Sequence, residues 1–370
     1  MARERLYTAD EAGASQSGKK SGNAAAERKK RERLISPDQM DPREDGRNKQ
    51  LRPQALAEYV GQREAHEKLG IAMQAAKNRG EPLEHMLFSG PSGLGKTTLA
   101  HVISHEMGTT LRQTSGPALQ RAGDLVGILT ALQDGDVLFI DEIHRLQTVV
   151  EEFLYPAMED YKVDFVVEKG TMAKNITIPL KRYTLVGATT RAGALSNALR
   201  NRFGLFHNLE FYPAEDLEQI IHRSASILDV TIDGGASSIL ARRSRGTPRI
   251  ANRLLRRVRD YAQVKGDGVI NTDIATDALR MEGVDDKGLD KLDRQYLQVL
   301  IDYYQGGPVG VESIAATLGE DVVTLEDVVE PYLLQIGFVQ RTSRGRKLLP
   351  AAYQHLDMPM PRSLNQQRLL

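Results

Sequence analysis

The sequence predicts an α/β fold built on a parallel sheet, and three observations lead there. Between about residues 85 and 211, short apolar runs alternate with helix-period stretches, the pattern of strands joined by crossover helices. One run, Met86-Leu87-Phe88, enters Gly90-Pro-Ser-Gly-Leu-Gly-Lys-Thr-Thr98, which satisfies G-x-x-x-x-G-K-[ST] in full. A second run, Asp136-Val-Leu-Phe-Ile-Asp141-Glu142, ends in two carboxylates. A glycine loop between strand and helix aims backbone N–H groups and a helix N-terminus at a polyphosphate.

The elements follow in chain order. Residues 1–48 are rich in Ala, Gly, Ser and charged side chains, with basic clusters at Lys19-Lys20 and Lys29-Lys30-Arg31, and are expected to be a disordered tail. The large domain spans 49–212, with a helix over 63–79 and a strand over 85–89. In the glycine loop, Gly93 and Gly95 let the backbone approach phosphate, Lys96 reaches the β- and γ-phosphates, and Thr97 and Thr98 open a helix that ends at Gly108. The Thr97 hydroxyl and Asp141 are the Mg²⁺ ligands, and Glu142 is the acid that polarises water. This chemistry is ATP hydrolysis. His144, alone after the acid pair, is assigned packing or hydrogen bonding. Further strands are expected at 109–113, 136–141, 183–189 and 208–211. The β-branched runs of 162–179 flank Gly170 as a projecting hairpin, which either caps the domain or docks a partner.

A helical domain over 213–285 follows. Within it Ile250, Leu254 and Val258 mark the buried stripe of an arginine-rich helix, and Arg249 stands at that helix's start. The last domain, 286–355, has helices over 289–304 and up to Gly319, then Thr324-Leu-Glu-Asp327 as a capping box opening a third helix that Pro331 kinks. A hairpin over 338–349 ends it with a basic tip, before a tail at 356–370. Three helices and a basic hairpin make a winged helix, in which Arg341, Arg344, Arg346 and Lys347 face nucleic acid.

Composition bounds the reading. A chain of 370 residues supports two or three domains, and with no Cys it has neither a disulfide framework nor a thiolate metal site. Lys+Arg and Asp+Glu are both 49, so any nucleic-acid site is a local patch. No apolar run reaches the ~18 residues that a membrane span needs. No apolar signal core opens the chain, and the expected location is cytoplasmic.

From Ser36 to His355 the chain resembles the RuvB family of AAA+ Holliday junction motors. The resemblance is carried by Leu51-Arg-Pro, Glu58-Tyr-Val-Gly-Gln62, the glycine loop, Gly123-Asp-Leu125, Asp136 to Leu146 and Leu154-Tyr-Pro-Ala-Met-Glu-Asp-Tyr161. It continues through Gly187-Ala-Thr-Thr-Arg-Ala-Gly193, Leu199-Arg-Asn-Arg-Phe-Gly204, Gly246-Thr-Pro-Arg249, Glu330-Pro-Tyr-Leu-Leu-Gln335 and Gln340 to Arg346. Ser92 departs from the family's usual proline, Ala122 from another, and Pro179-Leu-Lys-Arg182 from a more apolar segment.

The resemblance implies an AAA+ P-loop ATPase domain, a small helical lid and a winged-helix domain. It implies that Leu51 and Arg52 line the adenine and ribose side of the pocket, that Tyr212 closes it, and that Glu159, Asp160 and Tyr161 lie near the nucleotide. Thr190 would be the first sensor, Arg249 the second, and Arg202 the finger donated to a neighbouring subunit. Arg341 and Arg346 would contact DNA, and the 162–179 hairpin would dock a RuvA-type junction-binding protein. Implied besides are ATP with Mg²⁺, a homohexameric ring on double-stranded DNA and Holliday junctions, a RuvC-type resolvase as a further partner, and no membrane. The competing readings are a clamp-loader-like or initiator AAA+ ATPase acting on DNA, and an ATP-binding switch without turnover.

Overall fold

The computed structural model describes residues 50–166 and 175–360. The expected N-terminal tail, the Gly170 turn and the end of the C-terminal tail lie outside them. Five parallel strands form the central sheet in the order β2-β3-β6-β1-β7: β1 (Met86–Ser89), β2 (Leu111–Ser115), β3 (Val137–Asp141), β6 (Thr184–Thr189) and β7 (Leu205–Asn208). Successive residues point to opposite faces, so each inner strand supplies two cores. Phe88, Phe139 and Val186 face one way, against α1 (Arg63–Arg79) and α2 (Lys96–Met107). Leu87, Leu138, Ile140 and Leu185 face the other, against α3 (Ala122–Thr130) and α4 (Thr148–Glu159). All six residues of β6 are buried, as the middle strand of a covered sheet requires.

Two strands sit off the expected positions, each for a local reason. Ser104 Oγ donates to Thr109 O, and Thr109 N donates to Ser104 O. Residue 109 therefore closes α2, and β2 begins at Leu111. The last strand was expected at 208–211 but runs Leu205–Asn208, paired from Met86 with Leu205. Beyond it, Glu210 N is taken by Gln62 Oε1 and Tyr212 N by Gly246 O, so that stretch turns toward the lid.

The antiparallel pair β4 (Lys162–Val166) and β5 (Asn175–Pro179) leaves the sheet after α4. Val163 of this hairpin is buried in the core, whereas Ile176 is exposed. Helix α5 (Asn197–Arg200) precedes β7. Four lid helices follow: α6 (Ala214–Ile227), α7 (Gly234–Arg242), α8 (Pro248–Lys265) and α9 (Thr272–Met281). Leu217, Ile221, Leu240, Leu254 and Val258 continue the core of the α1–α2 face, so lid and sheet share one apolar body.

The C-terminal part has its own core around Tyr296, Leu297, Ile314, Leu325, Leu333 and Tyr353. It contains α10 (Lys291–Asp302), α11 (Val311–Leu318), a short α12 (Val322–Thr324), a π-helical turn Leu325–Val329, α13 (Glu330–Gln335), and the hairpin β8 (Val339–Thr342) and β9 (Gly345–Leu348), closed by α14 (Pro350–His355). The expected capping box is corrected here. Thr324 has helical φ and ψ and caps nothing, because the helix has already begun at Val322. Pro331 has no N–H to give the carbonyl four residues earlier, and the widened turn just before it absorbs that loss.

A buried ionic joint fastens lid to winged helix. Arg245 Nε donates to Gly288 O at 2.7 Å, and Nη2 lies 2.7 Å from Asp290 and 2.5 Å from Asp293. Burial pushes Asp293 up to about 7, with Asp290 adding to the rise. Burial opposes the charge on Asp290 as well, but Arg245 outweighs it and brings that carboxyl below its ordinary value.

Candidate functional site

The glycine loop leaves β1 and wraps back into α2. Gly93 and Gly95 have φ of 83° and 100°, and a Cβ at Gly95 would stand 2.7 Å from Tyr59 Oη, one at Gly93 3.1 Å from Arg249 Cβ. Only glycine leaves the loop open under these conditions. Lys96, first residue of α2, is buried and donates to Gly90 O at 2.7 Å and Pro91 O at 2.8 Å. Burial lowers its pKa to about 8, with Asp141 and Glu142 opposing the fall and Arg249 adding to it. These four charges therefore share one field. Thr97 and Thr98 follow Lys96 in the first turn of α2.

At the end of β3, Asp141 Oδ1 accepts from Glu142 N at 2.9 Å. Glu142 has φ of 47°, and its carboxylate is held 2.9 Å from Arg145 Nη1. At the end of the adjacent β6, Thr189 O accepts from Gly90 N, and Thr189 Oγ1 sits 2.9 Å from His144 Nδ1. His144 thus does the hydrogen bonding expected of it. Thr190 Oγ1 is buried and makes no hydrogen bond among the described residues. A buried hydroxyl without a partner beside a glycine cradle fits a phosphate oxygen, and Lys96, Thr97 and Asp141 fit a magnesium nucleotide.

From the lid, Arg249 N lies 3.4 Å from Gly93 O, and Arg249 Nη1 donates to Ser92 Oγ at 3.1 Å. From the N-terminal side, Leu51 is buried and its carbonyl accepts from Arg223, while Arg52 Nη1 is 2.9 Å from His101 on α2. Tyr212 Oη donates to Tyr59 Oη at 2.9 Å, beside Leu94 O. Tyr59, Ser92 and Arg223 carried no role in the sequence reading. The signal for Tyr59 was present, since it lies inside a segment that carried the resemblance.

The other expected residues are not brought to this place. Arg202 precedes β7, and Gly204 N donates to His85 O at the start of β1, whereas the glycine loop leaves the end of β1. Arg202 is therefore at the opposite end of the sheet from Lys96. It pairs with Glu159 Oε1 at 3.2 Å, donates to Ala198 O and stacks 4.2 Å from the Tyr155 ring centroid. Glu159, Asp160 and Tyr161 accompany it: Asp160 pairs with Lys162, and Tyr161 packs against His85 and Tyr183. The expectation that these three lie near the nucleotide does not hold within one chain, because α4 runs back to the start of β1 before they occur.

On the wing, Arg341 Nε donates to Glu330 Oε2 at 2.8 Å, and Arg346 donates to Glu330 and Glu326 at 2.9 and 2.7 Å. Arg344 stands exposed at the hairpin tip.

A parallel sheet with a glycine cradle, an acid pair at the end of β3, an unpartnered hydroxyl just after β6 and an arginine from a helical lid define an AAA+ P-loop ATPase carrying a winged helix. Three family models match consecutive stretches: the Holliday junction DNA helicase RuvB P-loop domain over residues 51–209, the RuvB AAA lid domain over 212–285, and the RuvB C-terminal winged helix domain over 286–357. The Holliday junction branch migration complex subunit RuvB of Desulfosudis oleivorans is 60% identical over 308 residues, covering 83% of this chain and 90% of that protein. The structure of the Thermotoga maritima RuvB Holliday junction branch migration motor superposes with a TM-score of 0.78 at 50% identity, covering 84% of this chain and 100% of that one. A point variant of the same Thermotoga protein gives 0.79. The chain belongs to the RuvB family. Among the described residues, no helix is long and apolar enough to cross a membrane.

Proposed function

We propose that this chain is an ATP-driven DNA motor of the RuvB type, migrating Holliday junctions in recombination and repair. It works as a six-subunit ring on duplex DNA with a RuvA-type partner, and a RuvC-type resolvase acts at the same junctions. The observation that carries the reading is the division of the catalytic set between the two ends of the sheet. Lys96, Asp141, Glu142, Thr190 and Arg249 gather where β1 ends, while Arg202 stands where it begins. Only a second copy can bring an Arg202 to this Lys96, which is how a ring couples neighbours.

Within that arrangement each side chain has a task. Lys96 leaves the loop carbonyls to contact the β- and γ-phosphates of ATP. Glu142 orients and deprotonates the attacking water, and Arg202 of the adjacent copy neutralises charge on the γ-phosphate. Thr190 and Arg249 sense that phosphate from the sheet and from the lid. Mg²⁺ held by Thr97 and Asp141 would draw charge from the phosphate oxygens. Leu51, Arg52 and Tyr212 enclose the nucleoside. Ile176 on the hairpin is the apolar contact for the RuvA-type partner.

The test is ATP-dependent migration of a four-way junction with and without a RuvA-type protein. Junction movement that requires ATP supports the motor. ATP turnover with no junction movement in both conditions points to the clamp-loader-like alternative, and absence of turnover to a switch.

A further inference from the structure

The loop after β6 and the winged helix are joined by an unbroken chain of ion pairs. Arg191 directly follows Thr190; its Nε donates to Asp327 Oδ1 at 2.9 Å, and its Nη2 lies 3.2 Å from Glu326 Oε2. The other Glu326 oxygen accepts from Arg346 at 2.7 Å. Arg346 in turn donates to Glu330, which also accepts from Arg341 and from the Tyr296 hydroxyl. Glu326 and Asp327 lie on the π-helical turn, a backbone form that concentrates at functional sites. Beside the chain is a cleft of about 330 Å³, with Pro91 and Thr190 on one wall and Pro331, Leu334 and Arg341 on the other.

The side chain of Glu330 has no exposure at all, so its charge has to stay paired. Arg341 and Arg346 are thus shared between an internal carboxylate and whatever anion approaches the wing. A DNA phosphate at the wing would compete with Glu326 and Glu330 for the same guanidinium groups. How firmly Glu326 holds Arg346 depends on how Arg191 holds Glu326, and Arg191 is one residue from the hydroxyl that faces the nucleotide.

We propose that Arg191, Glu326 and Asp327 are positioning residues that make the wing's grip on DNA depend on the nucleotide bound in the same chain. The inference rests on the reading of the wing as the DNA contact. A ligand shifts an equilibrium only through a difference in its contacts with the two states, and this chain of pairs supplies the difference. Coupling of binding is reciprocal, so DNA changes nucleotide affinity by the same factor.

The experiment measures duplex affinity of the assembled protein with a non-hydrolysed ATP analogue and with ADP. The wild type should show a ratio of at least about fivefold, the lower end of usual coupling. Arg191→Glu should bring the ratio toward one, and Arg191→Glu combined with Asp327→Arg should restore part of it. Asp327→Asn, a milder change, should also reduce the ratio while leaving DNA-free ATPase near wild type, and it stands in if Arg191→Glu does not fold. A wild-type ratio of one, or a ratio unchanged in Arg191→Glu or Asp327→Asn, overturns the coupling. Arg344→Ala, at the wing tip and outside the chain of pairs, should weaken DNA binding equally with both nucleotides. If its affinity and salt slope are unchanged, the wing reading itself is what has failed, and the coupling fails with it.

Discussion

Glu142 occupies a left-handed backbone conformation that costs a non-glycine residue about 1–2 kcal/mol. In this conformation its carboxylate pairs with Arg145 and lies within the field of Lys96. Glu142→Gln keeps the size and the hydrogen-bonding oxygen but removes the carboxylate proposed as the base. ATP should still bind, and turnover should fall by roughly 10²–10⁴-fold in a steady-state assay. A wild-type rate would remove Glu142 from the chemistry. Lys96→Ala should fail earlier, at binding, by roughly one to two orders of magnitude in dissociation constant, since a charged hydrogen bond to phosphate is lost. The contrast between the two variants, read by nucleotide binding and turnover together, checks both roles. That Lys96, Asp141 and Glu142 gather at one place was legible because each is marked by neighbours within a few residues along the chain. The Arg249–Ser92 bond was not, since 157 residues separate the partners and only folding brings them together. Arg346 was legible as a basic wing residue, but its carboxylate partners on the preceding helix carried no signal of pairing.

At the scale of elements, the alternation of apolar runs and helical stretches predicts the three inner strands of the main sheet closely, because burial on both faces leaves a continuous apolar imprint, whereas the half-exposed edge strands lack it and β7 shares only Asn208 with its expected range. Boundaries shifted where a hydrogen bond outside the pattern intervened, as at Thr109. The capping box failed for a different reason: Thr-x-x-Asp is a local signature, and Asp327 is taken by Arg191 from another domain. Replacing a true Ser or Thr cap costs about 1 kcal/mol. Thr324→Ala should instead leave the melting temperature within about 2 °C of wild type, because the side chain caps nothing and Ala favours a helix. A loss of several degrees in thermal unfolding would reinstate the cap. The hairpin gives a further test at this scale. Ile176→Glu should leave DNA-free ATPase intact and abolish its stimulation by a RuvA-type protein, and undiminished stimulation would return β4 and β5 to a structural role.

Across the whole molecule, the joint at Arg245 sets a pH dependence whose sign follows from the two carboxyls. Asp293 keeps its proton up to about 7 when folded and ionises near 4 when unfolded. It therefore contributes stability that is present at low pH and is lost as pH rises toward 7. Asp290, held below its ordinary value, contributes above the usual carboxylate range and loses that contribution only in acid. Of these two carboxyls, Asp293 alone changes its contribution between about pH 5.5 and 8. The melting temperature of wild type minus that of Asp293→Asn should decline across this window, and a flat difference would show that the buried pair carries no extra proton. The catalytic set gives the second prediction at this scale. Rings mixed from Arg202→Ala and Lys96→Ala subunits should recover part of the ATPase that each variant lacks alone, since some interfaces then join an intact loop to an intact arginine. No recovery in verified mixed rings would count against a finger in trans.

On the proposal that Arg202 acts across a subunit boundary, the placement of the glycine loop and Arg202 at opposite ends of one short strand also governs how many working centres an assembly has. A solitary subunit has two half-centres and no complete one. An open arc of n subunits completes n − 1, and closing the arc adds one more without adding protein. Turnover per subunit should accordingly rise with concentration on dilution series, steepest where arcs first form and level once they close. Joining ends on a DNA axle would raise the rate even at a fixed number of subunits, so a rise in turnover on adding DNA would include the completion of a last unfinished centre.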